Sequence, residues 1–348
     1  MLSNLDILQS IWLKGFICLI FSYCIGFFSI KKYINIVKQK KLFQPIRADG
    51  PQQHLKSKKN TPTMGGIFIV TSAILASLLF CNLHNQYLWV IMFIMLAFAI
   101  IGLVDDLLKV LYQNPHGFPG RYKIILQFVL IGLSLFWLGS INNLHLLAQI
   151  SLPWQQNIAL PLSLYVLFIT IVIVGSSNAV NLTDGLDGLV SVPAVINLIC
   201  LIAMTTVVGN QFLADRFAVL FVSETKEIIP FCYALIGSIL AFLTFNHKPA
   251  KIFMGDVGSL AIGSTLGLIA IIIKQEIIFF IASLLFVAEA VSVMLQVGSY
   301  KLYKKRIFLM APLHHHFEKL GWSEGRIVKK FWLSSLLFAI IALTIFFN

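Results

Sequence analysis

Long apolar runs separated by short polar segments dominate this chain, and their spacing predicts its architecture. A helix needs about 17–25 apolar residues to cross a bilayer, and ten runs in this chain are close to that length. They cover residues 11–30, 65–82, 88–105, 124–140, 159–177, 189–208, 229–245, 259–275, 277–299 and 330–347. The pattern therefore predicts an all-α polytopic membrane protein that forms a single transmembrane domain over residues 1–348.

Composition excludes a soluble protein. The chain is 58% hydrophobic and 11% charged, whereas soluble domains contain about 25% charged residues. A soluble chain of 348 residues could not bury so much apolar surface. The five cysteines form no Cys-x-x-Cys pair, so neither a disulfide framework nor a zinc site is predicted.

Basic residues are concentrated on one side of the predicted membrane. If successive spans alternate in direction, 22 of the 26 Lys and Arg residues fall in the loops 31–64, 106–123, 178–188, 246–258 and 300–330. The positive-inside rule assigns these loops to the cytoplasm and both termini to the periplasmic side. The net charge of +12 thus reflects topology and attraction to anionic lipid, and it does not indicate nucleic-acid binding.

Five aspartates stand where apolar runs end, namely Asp105, Asp106, Asp184, Asp187 and Asp256. Charge beside a membrane span is costly, so such residues are candidates for function. All five lie on the predicted cytoplasmic face, and we expect the loops of this face to form one site. Clustered carboxylates suit Mg²⁺, and nearby lysines and histidines could neutralise phosphate oxygens. The set indicates phosphoryl transfer.

Each motif also has a purely structural interpretation. The Asp105–Asp106 pair could be a solvated helix end, and Asp184-x-x-Asp187 could be a simple turn. Three consecutive histidines, 314–316, could be a surface run, and within a helix they would point in different directions.

Glu289 is the one ionisable residue deep within a predicted span. We expect it to pair inside the bundle with Gln296, seven residues later. We assign it no catalytic role, and we expect Glu289→Gln to retain substantial activity.

Taken in order, the polar segments resemble the MraY family of phospho-N-acetylmuramoyl-pentapeptide transferases. This family is a branch of the polyprenyl-phosphate N-acetylhexosamine-1-phosphate transferases. The matching stretches are Arg47–Gly66, Gly102–Leu108, Asn178–Leu189, Asn246–Gly263 and Ala311–Glu318. The aspartate motifs are similar to the whole superfamily, whereas Arg47–Pro51 and Pro312–Glu318 resemble the muramoyl-pentapeptide branch in particular.

The resemblance implies a reaction and a location. UDP-N-acetylmuramoyl-pentapeptide would react with undecaprenyl phosphate in the presence of Mg²⁺, which yields lipid I and UMP. The enzyme would be a multi-pass protein of the bacterial inner membrane with its active site facing the cytoplasm. A homodimer is common in the family.

The resemblance also implies roles for individual residues. Asp256 would bind Mg²⁺, with Asp105 and Asp106 as candidate further ligands. Asp105 would act as the base on the lipid phosphate with Asp106 as its partner, and a phospho-enzyme scheme competes with this one. The implied phosphate-side catalytic residues are His314, His315 and His316. The implied substrate-binding residues are Lys58, Thr63, Lys109, Lys123, Asn181, Asp184, Asp187, Asn246, Phe253 and Gly255.

Two alternatives remain open at this point. The same fold could transfer sugar phosphate from UDP-N-acetylglucosamine to undecaprenyl phosphate, although the histidine segment favours the muramoyl branch. A transporter would place ionisable residues near the middle of the bilayer. Here the aspartates stand at span ends and only Glu289 lies deep, which argues against a transporter.

Overall fold

The computed structural model describes residues 10–40, 61–112, 117–141, 148–152 and 156–348. Within these residues the chain is mostly helical. The helices are α1 (Ile11–Lys40), α2 (Gly66–Phe80), α3 (Gln86–Leu111), α4 (Gly120–Ile141), α5 (Leu162–Thr183), α6 (Ser191–Val208), α7 (Gln211–Arg216), α8 (Ile229–Asn246), α9 (Gly255–Ile272), α10 (Glu276–Ala282), α11 (Leu284–Tyr303), α12 (Leu313–Lys319) and α13 (Glu324–Phe347). A short 3-10 helix, Thr225–Ile228, precedes α8.

The predicted spans correspond to these helices. Nine helices of the described residues are long and apolar enough to cross a membrane, and α2 is a further apolar helix of 15 residues. The ninth predicted span, 277–299, consists of two helices, α10 and α11, that meet at Ser283. The prediction of a polytopic helical membrane protein is confirmed.

Three helices continue well past the C-terminal ends of the apolar runs that predicted them. α1 extends to Lys40, beyond the run 11–30. α3 extends to Leu111, beyond the run 88–105, and α5 extends to Thr183, beyond the run 159–177. Apolar side chains mark the part of a helix that suits hydrocarbon, whereas backbone hydrogen bonds can carry the helix further. Asp105 and Asp106 therefore belong to helix α3 and not to a loop.

A two-stranded antiparallel hairpin precedes α5. Its strands are β1 (Gln149–Leu152) and β2 (Gln156–Ala159), with Gln149 opposite Ala159. The sequence analysis did not predict this hairpin. Strands of four residues are too short for a clear alternation of apolar and polar positions.

Contacts between the described residues divide the chain into two compact units, which we describe separately. Unit 1 comprises Met1–Ile141 and Glu227–Ala261. In it α1, α2 and α8 pack against one another, with a small core of Cys18, Ala76 and Ala234. α3 packs against both α2 and α4. These contacts hold the end of α3 beside the start of α4.

Unit 2 comprises Asn142–Lys226 and Ile262–Asn348. In this unit α13 packs against α6 and α10, and α5 packs against α11. Its core contains Leu186, Leu189, Leu285, Ile327 and Phe331. Since two of these residues follow α5 directly, the turn after α5 is held in a packed environment. The single transmembrane domain over the whole chain stays a prediction.

Candidate active site

The last turns of α3 carry two buried carboxylates and a lysine. Asp105 is 0% exposed and Asp106 is 1% exposed. Lys109 lies four residues after Asp105 and therefore on the same helix face. Its Nζ contacts Oδ2 of Asp105 and lies 3.6 Å from Oδ1 of Asp106. The predicted proximity of Lys109 to Asp105 is confirmed.

A third carboxylate and a second lysine of unit 1 complete the cluster. Asp256 lies in the first turn of α9, where backbone N–H groups favour a negative charge. Oδ2 of Asp256 lies 3.5 Å from Nζ of Lys109 and 3.0 Å from Nζ of Lys123. Nζ of Lys123 also lies 2.8 Å from Oδ1 of Asp105. The two lysines thus connect all three aspartates.

Backbone groups orient the two aspartates of α3. The N–H of Phe118 donates to Oδ1 of Asp105 over 2.7 Å. The N–H of Val257 donates to Oδ2 of Asp106 over 3.3 Å. These bonds compensate part of the cost of burying charge, because hydrogen bonds to ionised groups are stronger than neutral ones.

Two glycines allow the backbone to approach the aspartates closely. Gly255 has φ +77°, and a Cβ there would lie 2.3 Å from Oδ2 of Asp106. A Cβ on Gly102 would lie 2.3 Å from the carbonyl oxygen of Asp256. A side chain at Gly255 would displace the Asp106 carboxylate, and a side chain at Gly102 would push α3 away from the start of α9.

The three aspartates could hold a metal ion. Asp105, Asp106 and Asp256 each offer one carboxylate oxygen, and these oxygens lie within 4.8 Å of one another. With Lys109 and Lys123 the ionised cluster has a formal net charge of −1. Hard oxygen ligands with residual negative charge fit a hard divalent cation. The Asp256 and Lys123 side chains are 18% and 21% exposed, so the cluster is open on their side.

Two more predicted residues of unit 1 lie in segments joined by backbone hydrogen bonds. The N–H of Phe253 donates to the carbonyl of Pro62 over 2.8 Å, and its carbonyl accepts from Gly65 over 2.9 Å. Thr63, 7% exposed, lies between these contacts. Thr63 and Phe253 therefore belong to two adjacent, hydrogen-bonded segments that lead into α2 and α9.

Asn246 is the last residue of α8, and its Nδ2 donates to the carbonyl of Ile252 over 2.8 Å. This bond closes the loop that leads towards α9. Lys58 lies outside the described residues. The predicted site residues that the structure describes in unit 1 are Thr63, Asp105, Asp106, Lys109, Lys123, Asn246, Phe253, Gly255 and Asp256.

In unit 2, Asn181 lies on the last turn of α5, and Asp184 and Asp187 lie in the turn that follows. The N–H of Asp184 donates to the carbonyl of Asn181 over 3.2 Å. Asp187 is 8% exposed and stands between two core leucines. The segment forms a turn, and the burial of Asp187 distinguishes it from a solvated surface turn.

The three histidines lie on α12 of unit 2 and have different partners. Nδ1 of His314 lies 3.0 Å from Oε2 of Glu289. Nδ1 of His315 lies 2.6 Å from Oε2 of Glu318. Nδ1 of His316 accepts a backbone N–H over 3.2 Å. The prediction that helical histidines would point in different directions is confirmed.

Glu289 contacts a different residue from the one that the sequence analysis expected. The expected pairing with Gln296 is wrong, because seven residues separate the two side chains by about 10 Å along α11. Oε1 of Glu289 instead accepts the N–H of His314 over 3.2 Å. Gln296 accepts the N–H groups of Ile307 and Phe308. An ionisable residue within a span is by default a candidate for function, and this signal was available.

Comparisons with known proteins agree with the motifs. Residues 88–274 match the glycosyl transferase family 4 profile. Residues 58–70 match the phospho-N-acetylmuramoyl-pentapeptide-transferase signature 1. The first match covers more than half of the chain and contains the turn after α5.

Three curated relatives carry the name phospho-N-acetylmuramoyl-pentapeptide-transferase. The relative from Francisella philomiragia is 45% identical over 92% of this chain and 89% of its own length. The relative from Bartonella quintana is 46% identical over 86% of this chain and 83% of its own length. The relative from Rickettsia canadensis is 47% identical over 86% and 83% of the two chains. The chain therefore belongs to the phospho-N-acetylmuramoyl-pentapeptide-transferase family.

Proposed function

We propose that this protein transfers phospho-N-acetylmuramoyl-pentapeptide from its UDP derivative to undecaprenyl phosphate, which yields lipid I and UMP. The observation that carries the proposal is the buried cluster of Asp105, Asp106 and Asp256 with its two lysines, in a chain of this family. A membrane protein with a charged cluster at the end of a span is suited to join an anionic nucleotide to a lipid-borne phosphate.

In the proposed reaction an oxygen of undecaprenyl phosphate attacks the phosphorus bonded to the muramoyl sugar. A new oxygen–phosphorus bond forms, the bridging diphosphate bond breaks, and UMP leaves with the electron pair. Asp105 orients the lipid phosphate and accepts its proton if one is present, and Asp106 supports Asp105 through Lys109. An alternative scheme has a carboxylate attack first and form a phospho-enzyme.

Mg²⁺ is the proposed cofactor. When bound, it neutralises charge on the diphosphate. Asp256 would hold it, with Asp105 and Asp106 as candidate further ligands. Lys109 and Lys123 would bind phosphate oxygens, which requires them to exchange part of their contact with the aspartates. The exposed fraction of Lys123 makes this exchange easier for it than for Lys109.

The remaining proposed roles follow the family motifs. His314, His315 and His316 would act on the phosphate side of the donor. Asp187, Asn246 and Phe253 would contact the uridine together with Lys58, and the ring of Phe253 offers a face for the base. The residues proposed to flank the ribose and diphosphate are Thr63, Asn181, Asp184 and Gly255.

The proposed location is the bacterial inner membrane, with the active site facing the cytoplasm and both termini on the periplasmic side. The distribution of basic residues supports this orientation, since 22 of the 26 lie in loops of one face. A cytoplasmic site would also meet the nucleotide donor directly. We propose a homodimer as the functional assembly.

The test is an assay of the purified protein with undecaprenyl phosphate and two donors in parallel, UDP-N-acetylmuramoyl-pentapeptide and UDP-N-acetylglucosamine. We expect UMP release with the first donor only, and its loss when EDTA removes divalent cations. Mg²⁺ added back should restore turnover. Turnover of UDP-N-acetylglucosamine alone would contradict the muramoyl assignment, and full activity in EDTA would contradict the metal requirement.

A further inference from the structure

We propose that Glu289 is a positioning residue of this transferase, whose carboxylate fixes the tautomer and the orientation of the His314 imidazole against the turn at Gly185. The inference deepens the proposed function and rests on it. It also replaces the expectation that Glu289 has no part in the reaction.

Both carboxylate oxygens of Glu289 contact the same residue, His314. Its Oε1 accepts the N–H of His314 over 3.2 Å, and its Oε2 lies 3.0 Å from Nδ1 of the same residue. Glu289 and His314 are both 0% exposed. Within the described part of the chain, no other group is hydrogen-bonded to the Glu289 carboxylate. A buried carboxylate that depends on a single partner holds that partner strongly, because losing it would leave a buried charge.

The hydrogen bond to Glu289 determines which ring nitrogen carries a proton. An ionised carboxylate only accepts hydrogen bonds, so Nδ1 of His314 must be the donor. An imidazole whose only ring proton is on Nδ1 presents the lone pair of Nε2 on its opposite edge. A carboxylate that orients an imidazole in this way is a recurring arrangement around catalytic histidines.

The Nε2 edge of His314 lies against the turn that follows α5. A Cβ on Gly185 would lie 2.1 Å from Nε2 of His314. This nitrogen is buried and has no hydrogen-bond partner among the described residues. The ring of His315 lies 4.2 Å from that of His314, measured between centroids. The His314 imidazole is therefore hydrogen-bonded through Nδ1 and lies beside the ring of His315. Its Nε2 edge faces Gly185.

This arrangement joins two proposed parts of the donor site within unit 2. Gly185 lies between Asp184 and Asp187, which we propose to act on the nucleotide side, whereas His314 is proposed to act on the phosphates. Glu289 on α11 sets the distance between them because it holds His314 through two bonds. Changing the carboxylate should therefore affect the reacting geometry more than the affinity for the nucleotide.

The test compares four variants with the wild type: Glu289→Gln, Glu289→Asp, His314→Ala and the double variant Glu289→Gln/His314→Ala. Asp215→Asn is the matched acid-to-amide control, since Asp215 is exposed on α7. We expect Glu289→Gln to lower kcat at least about tenfold, with KM for the UDP donor changing less than about twofold. Glu289→Asp keeps a carboxylate and should recover part of kcat.

The double variant separates positioning from a merely structural role. If Glu289 acts through His314, adding Glu289→Gln to His314→Ala should lower kcat by less than about twofold further. Multiplication of the two single losses would overturn the proposal, as would wild-type kcat in Glu289→Gln. Asp215→Asn should retain wild-type kcat and KM.

A second measurement does not depend on turnover. Nitrogen-15 NMR of the histidine-labelled full chain in nanodiscs reports which ring nitrogens carry protons, and His314→Ala identifies the His314 signals. We expect a protonated Nδ1 in the wild type and a changed pair of ring signals in Glu289→Gln. Identical signals in both proteins would overturn the proposal. An inactive wild type with the expected NMR change would contradict the proposed function and leave the Glu289–His314 coupling supported.

Discussion

The two units of this protein hold buried carboxylates in different ways. In unit 1, Asp105, Asp106 and Asp256 share Lys109 and Lys123 in a network with a partly exposed edge. In unit 2, the Glu289 carboxylate is fully buried, and among the described residues it is hydrogen-bonded to His314 alone. We propose that the lysines of the first arrangement can exchange their carboxylate contacts for contacts with substrate, whereas the second arrangement fixes a geometry.

The difference follows from the cost of burying charge. A network spreads that cost over several partners, so the approach of a metal or a phosphate can replace one of them. In a buried pair neither residue can exchange its partner for another group, so the geometry is kept only while both residues are intact. Exchangeable groups are suited to substrate binding, and a buried pair is suited to orientation.

The largest expected effect concerns the aspartates of the network. We predict that Asp256→Asn and Asp105→Asn each lower Mg²⁺-dependent UMP release at least about 1,000-fold, because each removes charge from the proposed metal and phosphate site. The measurement is turnover in purified protein whose folding is checked by thermal unfolding. Near wild-type turnover in either variant would remove that residue from the proposed mechanism.

The two lysines should differ in their effect on stability. Lys109 contacts three carboxylates with a side chain that is 10% exposed, whereas Lys123 contacts two and is 21% exposed. We predict that Lys109→Met lowers the free energy of unfolding by about 3 kcal/mol and Lys123→Met by about 1 kcal/mol. Thermal unfolding of both variants in the same detergent shows which substitution destabilises the protein more.

Mg²⁺ should partly replace the missing ammonium group of either lysine variant. It should therefore raise the unfolding temperature of both variants more than that of the wild type. A larger loss of unfolding free energy for Lys123→Met than for Lys109→Met would contradict the prediction. It would show that side-chain exposure does not determine how much each lysine stabilises the cluster.

A glycine beside each arrangement provides a steric test. We predict that Gly255→Ala lowers turnover about 100-fold, because an alanine at φ +77° is strained and its Cβ would displace Asp106. Gly185→Ala, which would displace His314 without that strain, should cost about tenfold. Gly132→Ala on α4 is the control, since a Cβ there meets nothing within 4 Å. Equal activity in all three variants would contradict a steric role for the first two glycines.

The smallest effect is expected for the second glutamate–histidine pair. Nδ1 of His315 lies 2.6 Å from Oε2 of Glu318, and both side chains are partly exposed. We predict that Glu318→Gln lowers kcat about threefold, because a partly solvated pair contributes about 1 kcal/mol or less. A loss as large as that of Glu289→Gln, measured in the same assay, would show that burial does not distinguish the two pairs.

Much of the helical layout was predictable because hydropathy is a local property. Apolar runs located the spans from α1 to α13, and the i,i+4 relation placed Lys109 beside Asp105 before any contact was known. Helix ends were less predictable. Backbone hydrogen bonds continue into polar sequence, so the end of α3 at Leu111 lies beyond its apolar run.

The partners of the site residues were harder to predict because they come from distant segments. Asp256 is 133 residues from Lys123, and Glu289 is 25 residues from His314. A single chain without measured contacts carries no distance information over such separations. Glu289 was recognisable as unusual, but the sequence analysis chose Gln296 on the same helix as its partner, and this choice was wrong.

The sequence was sufficient to establish a polytopic helical membrane protein, to identify the aspartate and histidine motifs, and to indicate the family. These properties depend on composition, periodicity and residue order, which are all local along the chain. The tertiary structure was needed to show that three aspartates share two lysines and that Glu289 holds His314. Such contacts arise when helices pack and buried charges find partners, and packing depends on the whole chain at once.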